Sequence, residues 1–201
     1  IFITSIECLN IDDHDVDICA LAIIIDIRQI LGVVNEETSF LAIILHQYTH
    51  LAFFQALSKY QYLEKSDRSF LKRIVDGTVE YKIQIDYIIN AYSKTKVHKM
   101  KPFIRTLLRM SVYQIYYMDR VPDSAACNEA VRLAKKRGFS GLSGFVIGVL
   151  RSVARGKGKL TFPDDSVRYS MPDWILSLWK ENYGAETTRR MAQAGLEKQS
   201  V

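Results

Sequence analysis

From residue 66 onward, apolar residues recur three and four positions apart, separated by short polar breaks. That spacing is the period of an amphipathic helix, not the strict alternation of a strand. Ser66 or Asp67 is expected to cap a helix that turns Phe70, Leu71, Ile74 and Val75 inward, with Gly77 as a break or a point of close contact. Residues 83–92 predict the next helix, with Ile85, Ile88, Ile89 and Tyr92 on one stripe. Pro102 suits the first turn of a helix to about residue 118, whose core stripe is Ile104, Leu107, Leu108, Ser111, Ile115 and Met118. Pro122 and Asp123 open a helix that ends at Gly138. Its stripe of Cys127, Ala130, Val131 and Ala134 is small enough to pack closely at the centre. Ser140 or Ser143 starts a further helix with Leu142, Phe145, Val146, Val149, Leu150 and Val153 inward. Residues 155–165 read as a loop. A short amphipathic helix over 171–183 follows, with Trp174, Leu178 and Trp179 apolar, opened by Pro172 and closed by Gly184, and 185–198 form a last helix.

The first third of the chain is less regular. Residues 18–34 are a continuous Ile-rich run that suits a buried helix or, in part, a strand, and 37–57 suit a second apolar helix. Residues 1–16 carry no period. Their aspartates Asp12, Asp13, Asp15 and Asp17 suggest a calcium loop, but counting from Asp13 puts Ile18 where glycine is required and Ile24 where glutamate is required. A solvated acidic turn is expected there instead. The run from Ile18 to Ile25 is interrupted by Asp26 and Arg28, well short of the roughly 20 apolar residues of a membrane span. No secretory leader is expected either.

Composition narrows the fold class. The chain has 201 residues with 10 glycines and 4 prolines, too few breakers for many short strands joined by tight turns, so an all-α fold is expected. The three cysteines, Cys8, Cys19 and Cys127, are odd in number and widely spaced, which points to a reducing cytoplasm, not a disulfide framework. The histidines His14, His46, His50 and His98 lack the local spacing of a zinc site.

Charge is what suggests a partner. The net charge is +5, but residues 1–57 hold eight acids and one base, a net of −7, while residues 58–201 hold a net of +12. Residues 87–118 contain no acid at all, while Lys94, Lys96, Lys99, Lys101, Arg105 and Arg109 lie within them. Further clusters are Arg132, Lys135, Lys136 and Arg137, and Arg151, Arg155, Lys157 and Lys159. Such a balance fits either a polyanion partner or a solvated basic surface. Lys101, Arg105 and Arg109 recur four apart, about 6 Å of helical rise between neighbours, close to the separation of adjacent phosphates. The candidate nucleic-acid contacts are therefore Lys96, Lys99, Lys101, Arg105 and Arg109, with Arg151 and Arg155 on the polar side of their helix.

Catalytic signatures are missing. No SxxK, GxSxG or HExxH occurs, and no glycine-rich turn follows a strand to hold a dinucleotide or S-adenosylmethionine. Residues 155–165 are not a phosphate loop, since no Ser or Thr follows Lys159, and Gly141 to Gly144 suit a helix start better than a backbone-clamping GxxG. Cys127 is expected in the core, Glu129 in a salt bridge or cap, and His98 on the surface. Tyr113, Tyr116 and Tyr117 could stack on bases but fit a mixed core and surface role better.

Several longer strings go further. DRSFLKRIVDGTVE (67–80), IDYII (85–89), KMKPFIRTLLRMSVYQIYYMDRVP (99–122), NEAVRLAKK (128–136) and GFVIGVLR (144–151) resemble, in order and spacing, the NusB-type helical fold. The resemblance starts near Thr49, so 49–160 would be a NusB-like RNA-binding domain and 1–48 a divergent acidic segment with only Arg28 where the family carries an arginine-rich helix. Ile147 stands where the family commonly has Asn. The continuation SVRYSMPDWILSLWKENYGAE (166–186) resembles the segment that joins this domain to the catalytic part in RsmB/Sun-type small-subunit rRNA cytosine-C5 methyltransferases, which makes 161–201 a helical linker extension. That resemblance implies small-subunit rRNA as partner and S-adenosylmethionine as the methyl donor of a separate catalytic domain, with no catalytic residue or cofactor in this chain. The alternative is a stand-alone NusB-like antitermination factor that binds RNA and a ribosomal protein.

Overall fold

The computed structural model describes residues 64–196. The expected helices over 18–34 and 37–57 and the acidic turn lie outside the described residues. Within them the chain is all-α, with eight α-helices and no strand. They are α1 (Lys65–Glu80), α2 (Lys82–Tyr92), α3 (Pro102–Tyr117), α4 (Asp123–Lys136), α5 (Ser143–Arg155), α6 (Asp165–Tyr169), α7 (Asp173–Tyr183) and α8 (Ala185–Leu196). Short 3-10 turns at Val97–Lys99 and Ser140–Leu142 precede α3 and α5.

The bundle is built around α3, which packs against α1, α2, α4 and α5. Every residue of its expected stripe is buried, and so are Thr106, Arg109, Met110, Val112 and Tyr113 on its other sides. Each fully buried Ile or Leu here stabilises the fold by about 2 kcal/mol relative to an exposed one. The centre is therefore α3 and not the small-residue helix α4. Ala126, Cys127, Ala130 and Ala134 give α4 one flat buried face that lets it lie close to α3 and α5, while Val131 is only half-buried.

Local chemistry sets most boundaries. Pro102 is the first residue of α3, where its missing N–H goes unneeded. Gly138 and Gly184 follow α4 and α7 with φ of 77° and 78°, a conformation that disfavours a side chain. Gly77 is a close contact and not a break: an added Cβ would lie 2.0 Å from the Tyr113 ring. The start of α1 differs from expectation, because Glu64 takes the cap position and makes no side-chain cap bond.

The extension folds back. Asp164 accepts the Val167 N–H at 2.8 Å and caps the five-residue helix α6, inside a stretch whose start reads as loop. Gln84 Nε2 donates to the carbonyls of Val167 and Arg168, at 3.2 and 2.9 Å, which fixes α6 on α2. Tyr81 Oη donates to the Leu196 carbonyl at 3.3 Å and ties down the end of α8. Asp165 pairs with Lys180 and Arg189, linking α6 to α7 and α8. On α7 the buried residue is Leu176, while Trp174 and Leu178 are exposed and Trp179 half-buried. Trp174 and Leu178 thus turn outward, because α7 meets its neighbours through the Leu176 side.

Candidate nucleic-acid interface

The lysine-rich segment between α2 and α3 is held in one shape. Asn90 Oδ1 accepts the Val97 N–H at 2.9 Å. Ser93 Oγ accepts the Thr95 N–H at 3.1 Å and donates to the Thr95 carbonyl at 2.8 Å. Val97 and Met100 are buried as anchors. The residues between these anchors, Lys94, Lys96, His98 and Lys99, are left exposed, as is Lys101. A charged surface fixed in advance loses less entropy when it binds.

Two contacts bring other basic segments to the ends of this loop. At its start, Tyr92 Oη donates to the Gly156 carbonyl at 3.1 Å, which joins it to the end of α5. Gly156 is required there, since an added Cβ would lie 2.0 Å from that hydroxyl. Arg151, Arg155, Lys157 and Lys159 are exposed on this side. At the other end Lys101 Nζ lies 5.5 Å from the centroid of the Phe139 ring, which stacks on Phe103 at 5.1 Å. Phe139 follows the basic end of α4. Residues 130–163 also contain no acid, so the joined surface combines two acid-free stretches of sequence. A field of one sign over such a surface attracts a polyanion and favours phosphate contacts.

The expected arginine row does not form. Lys96, Lys99, Lys101, Arg151 and Arg155 are exposed, but Arg109 is only 5% exposed. Its Nε and Nη2 donate to the two carboxylate oxygens of Asp86, each at 2.6 Å. Four-residue spacing does put Arg105 and Arg109 on one face of α3, but α2 covers that face. Arg105 is half-buried between the two situations. The sequence reading missed Asp86, the last acid before the acid-free window, and Lys82, which lies one residue before the expected start of α2. The sequence shows only the four-residue spacing within each pair; that the pairs meet is tertiary.

The remaining candidates take structural roles. Tyr117 packs at a tilt against Tyr81, with ring centroids 4.3 Å apart, and donates its hydroxyl to Gln84 Oε1, and Tyr113 is buried, so this cluster is core and not a base-stacking platform. Cys127 is buried, and burial, with Asp123 next, pushes its thiol pKa up, opposite to a reactive nucleophile. Glu129 pairs with Arg132 at 2.9 Å. Asp164, Asp165, Asp173 and Lys180 line a cleft among the C-terminal helices whose acidic rim would repel phosphate. Among the described residues no three His, Cys, Asp or Glu side chains come together as metal ligands, and no helix is long and apolar enough to cross a membrane.

A fold of this kind has known counterparts. The NusB family model matches residues 29–155, and the chain belongs to the NusB family. Among curated proteins it is 38% identical over 140 residues to the probable ribosomal RNA small subunit methyltransferase B of Bacillus subtilis, covering 67% of this chain and 31% of that protein. It is 34% identical over 150 residues to the protein of the same name from Synechocystis, covering 72% of this chain and 33% of that one. The chain thus spans about a third of the length of these relatives. It is also 38% identical over 106 residues to the transcription antitermination protein NusB of Symbiobacterium thermophilum, covering 52% of this chain and 69% of that protein. The crystal structure of PH0851 shares the fold, with a TM-score of 0.63 at 17% identity over 90% of this chain and 39% of that one.

Proposed function

We propose that this chain is the RNA-binding part of a small-subunit rRNA cytosine-C5 methyltransferase, and that the seam formed by the loop over 93–101 with the ends of α4 and α5 holds the RNA backbone. Residues 49–160 would be the binding domain and 161–201 the linker to the catalytic part. The observation that carries the methyltransferase branch is the extension. Helices α6 to α8 lie beyond the family match that ends at residue 155. Similarity to the methyltransferase relatives covers 67% and 72% of the chain, against 52% and 47% for the first two NusB antitermination relatives.

The exposed lysines act by charge. Each phosphate they neutralise releases condensed counterions, which gives affinity without sequence preference and a steep salt dependence. Methyl transfer would need a donor pocket for S-adenosylmethionine and an exposed thiolate. The described residues do not fit that role, since they form helices only and their cysteine, Cys127, is buried. In the parent enzyme this part would contribute substrate affinity, which changes KM more than kcat.

The test uses the full parent enzyme on small-subunit rRNA. Replacing Lys96, Lys99 and Lys101 with Glu should raise KM for the RNA several-fold and leave kcat within about twofold. A fall in kcat with unchanged KM would contradict the reading. Absence of any methyl transfer by the complete gene product, together with tight binding to a ribosomal protein, would instead favour the antitermination reading that the NusB relatives support.

A further inference from the structure

Two charged pairs face each other across the contact between α2 and α3. Lys82 and Asp86 stand four apart on α2, Arg105 and Arg109 stand four apart on α3, and the two helices pack together. The Asp86 carboxylate is taken up by Arg109, with both oxygens at 2.6 Å. One carboxylate therefore serves three cations. Two of their donors, Arg105 Nε and Arg109 Nη1, are buried with no acceptor among the described residues. A buried N–H without an acceptor is strongly unfavourable, and more so on a charged group. The strain shows in the neighbours. Burial first, and then the Arg109 charge, lower the pKa of Lys82 and of Arg105, against the pull of Asp86. Solvent reaches part of the cluster, since Lys82 and Arg105 are half-buried and the Asp86 side chain is 26% exposed.

We propose that Lys82, Arg105 and Arg109 form a binding site for one phosphate group, with Asp86 as the positioning residue that fixes the Arg109 guanidinium. A phosphate carries the charge that the cluster lacks and the acceptor oxygens that the two orphaned N–H groups require. The phosphate group comes either free in solution or as a phosphodiester of a bound RNA backbone. The site follows from the orphaned donors and stands independently of the RNA reading.

The experiment titrates inorganic phosphate into the full chain at constant ionic strength, with chloride as the balancing anion, and follows binding by calorimetry and by the shift in melting temperature. The expected result is a saturable rise in melting temperature that chloride does not give. Arg105→Gln and Lys82→Gln should each weaken phosphate binding about tenfold, the loss of one charge-assisted hydrogen bond. Both residues are half-exposed, so the variants should keep the native circular dichroism spectrum. Arg190→Gln, on the exposed side of α8 and outside the basic seam, should bind phosphate as the parent does. A second arm measures RNA affinity. If Arg105→Gln weakens phosphate and RNA together, the group is a backbone phosphodiester; if it weakens phosphate alone, the ligand is free phosphate. Both results uphold the site. It is overturned if the parent chain gives no response beyond chloride, or if both variants bind phosphate as the parent does. Loss of RNA binding in Lys96→Glu, Lys99→Glu or Lys101→Glu has no bearing on the phosphate arm, so the two claims fail separately.

Discussion

Replacing Asp86 with Ala should destabilise the chain well beyond what an exposed salt bridge contributes. The substitution leaves Arg109, 6% exposed at its side chain, without its counter-charge. Removing one partner of a buried pair typically costs about 3–5 kcal/mol. The Asp86 end is 26% exposed, so water would partly resolvate the guanidinium, which argues for the lower end of that range. Lys82 and Arg105 add to the cost, because their repulsion of Arg109 is no longer offset by the Asp86 carboxylate. A loss of about 3 kcal/mol follows, and with a urea m value of about 2 kcal/mol/M the midpoint should fall by about 1.5 M. Urea unfolding followed by far-UV circular dichroism reads this directly. The double variant Asp86→Leu with Arg109→Met removes both charges and should recover to within about 1 kcal/mol of the parent. A midpoint shift below about 0.5 M for Asp86→Ala would mean that the pair behaves as an exposed salt bridge, and would refute the burial argument.

Other consequences follow from the same packing. Gly77→Ala puts a methyl 2.0 Å from the buried Tyr113 ring and should cost about 1–3 kcal/mol of stability in urea unfolding. Gly156→Ala should displace the Tyr92 hydroxyl, loosen the start of the lysine loop and lower RNA affinity a few-fold with no change in charge. Burial raises the pKa of Tyr81, Tyr113 and Tyr117, and pushes Tyr116 up to about 12. Their ionisation is easier in the unfolded chain, so the stability they give is complete below pH 10 and is lost as pH rises above it. An ultraviolet titration should show these tyrosines ionising late in the native chain, and together with the rest in denaturant.

Much of the bundle was legible in the chain. The stripes of α2, α3 and α5 follow the helical period, and Pro102, Gly138 and Gly184 mark ends that local backbone chemistry decides. Three features were not legible. A five-residue helix such as α6 is too short to show a period and depends on the Asp164 cap and on Gln84 from a distant helix. The polar position Arg109 looked like surface because a helical wheel assumes one buried face, whereas α3 is enclosed by four helices. The outward turn of Trp174 and Leu178 was not readable, because residue type alone does not say which side of α7 meets a neighbour. The same holds for the site. Its lysines were visible as an acid-free run, but the Tyr92–Gly156 and Lys101–Phe139 contacts that join three basic segments are tertiary and have no local signature.

The central claim is that an ordered basic seam grips an RNA backbone, and its salt dependence tests that most directly. The measurement is the affinity of the full chain for a small-subunit rRNA fragment across a series of salt concentrations, for the parent and for the variant with Lys96, Lys99 and Lys101 changed to Glu. The parent should give a steep linear fall of log K with log salt. Loss of three phosphate contacts should flatten that slope by about 2 units and weaken binding to unrelated RNA equally. Parallel slopes with unchanged affinity would show that these lysines are merely solvated, and would contradict the account.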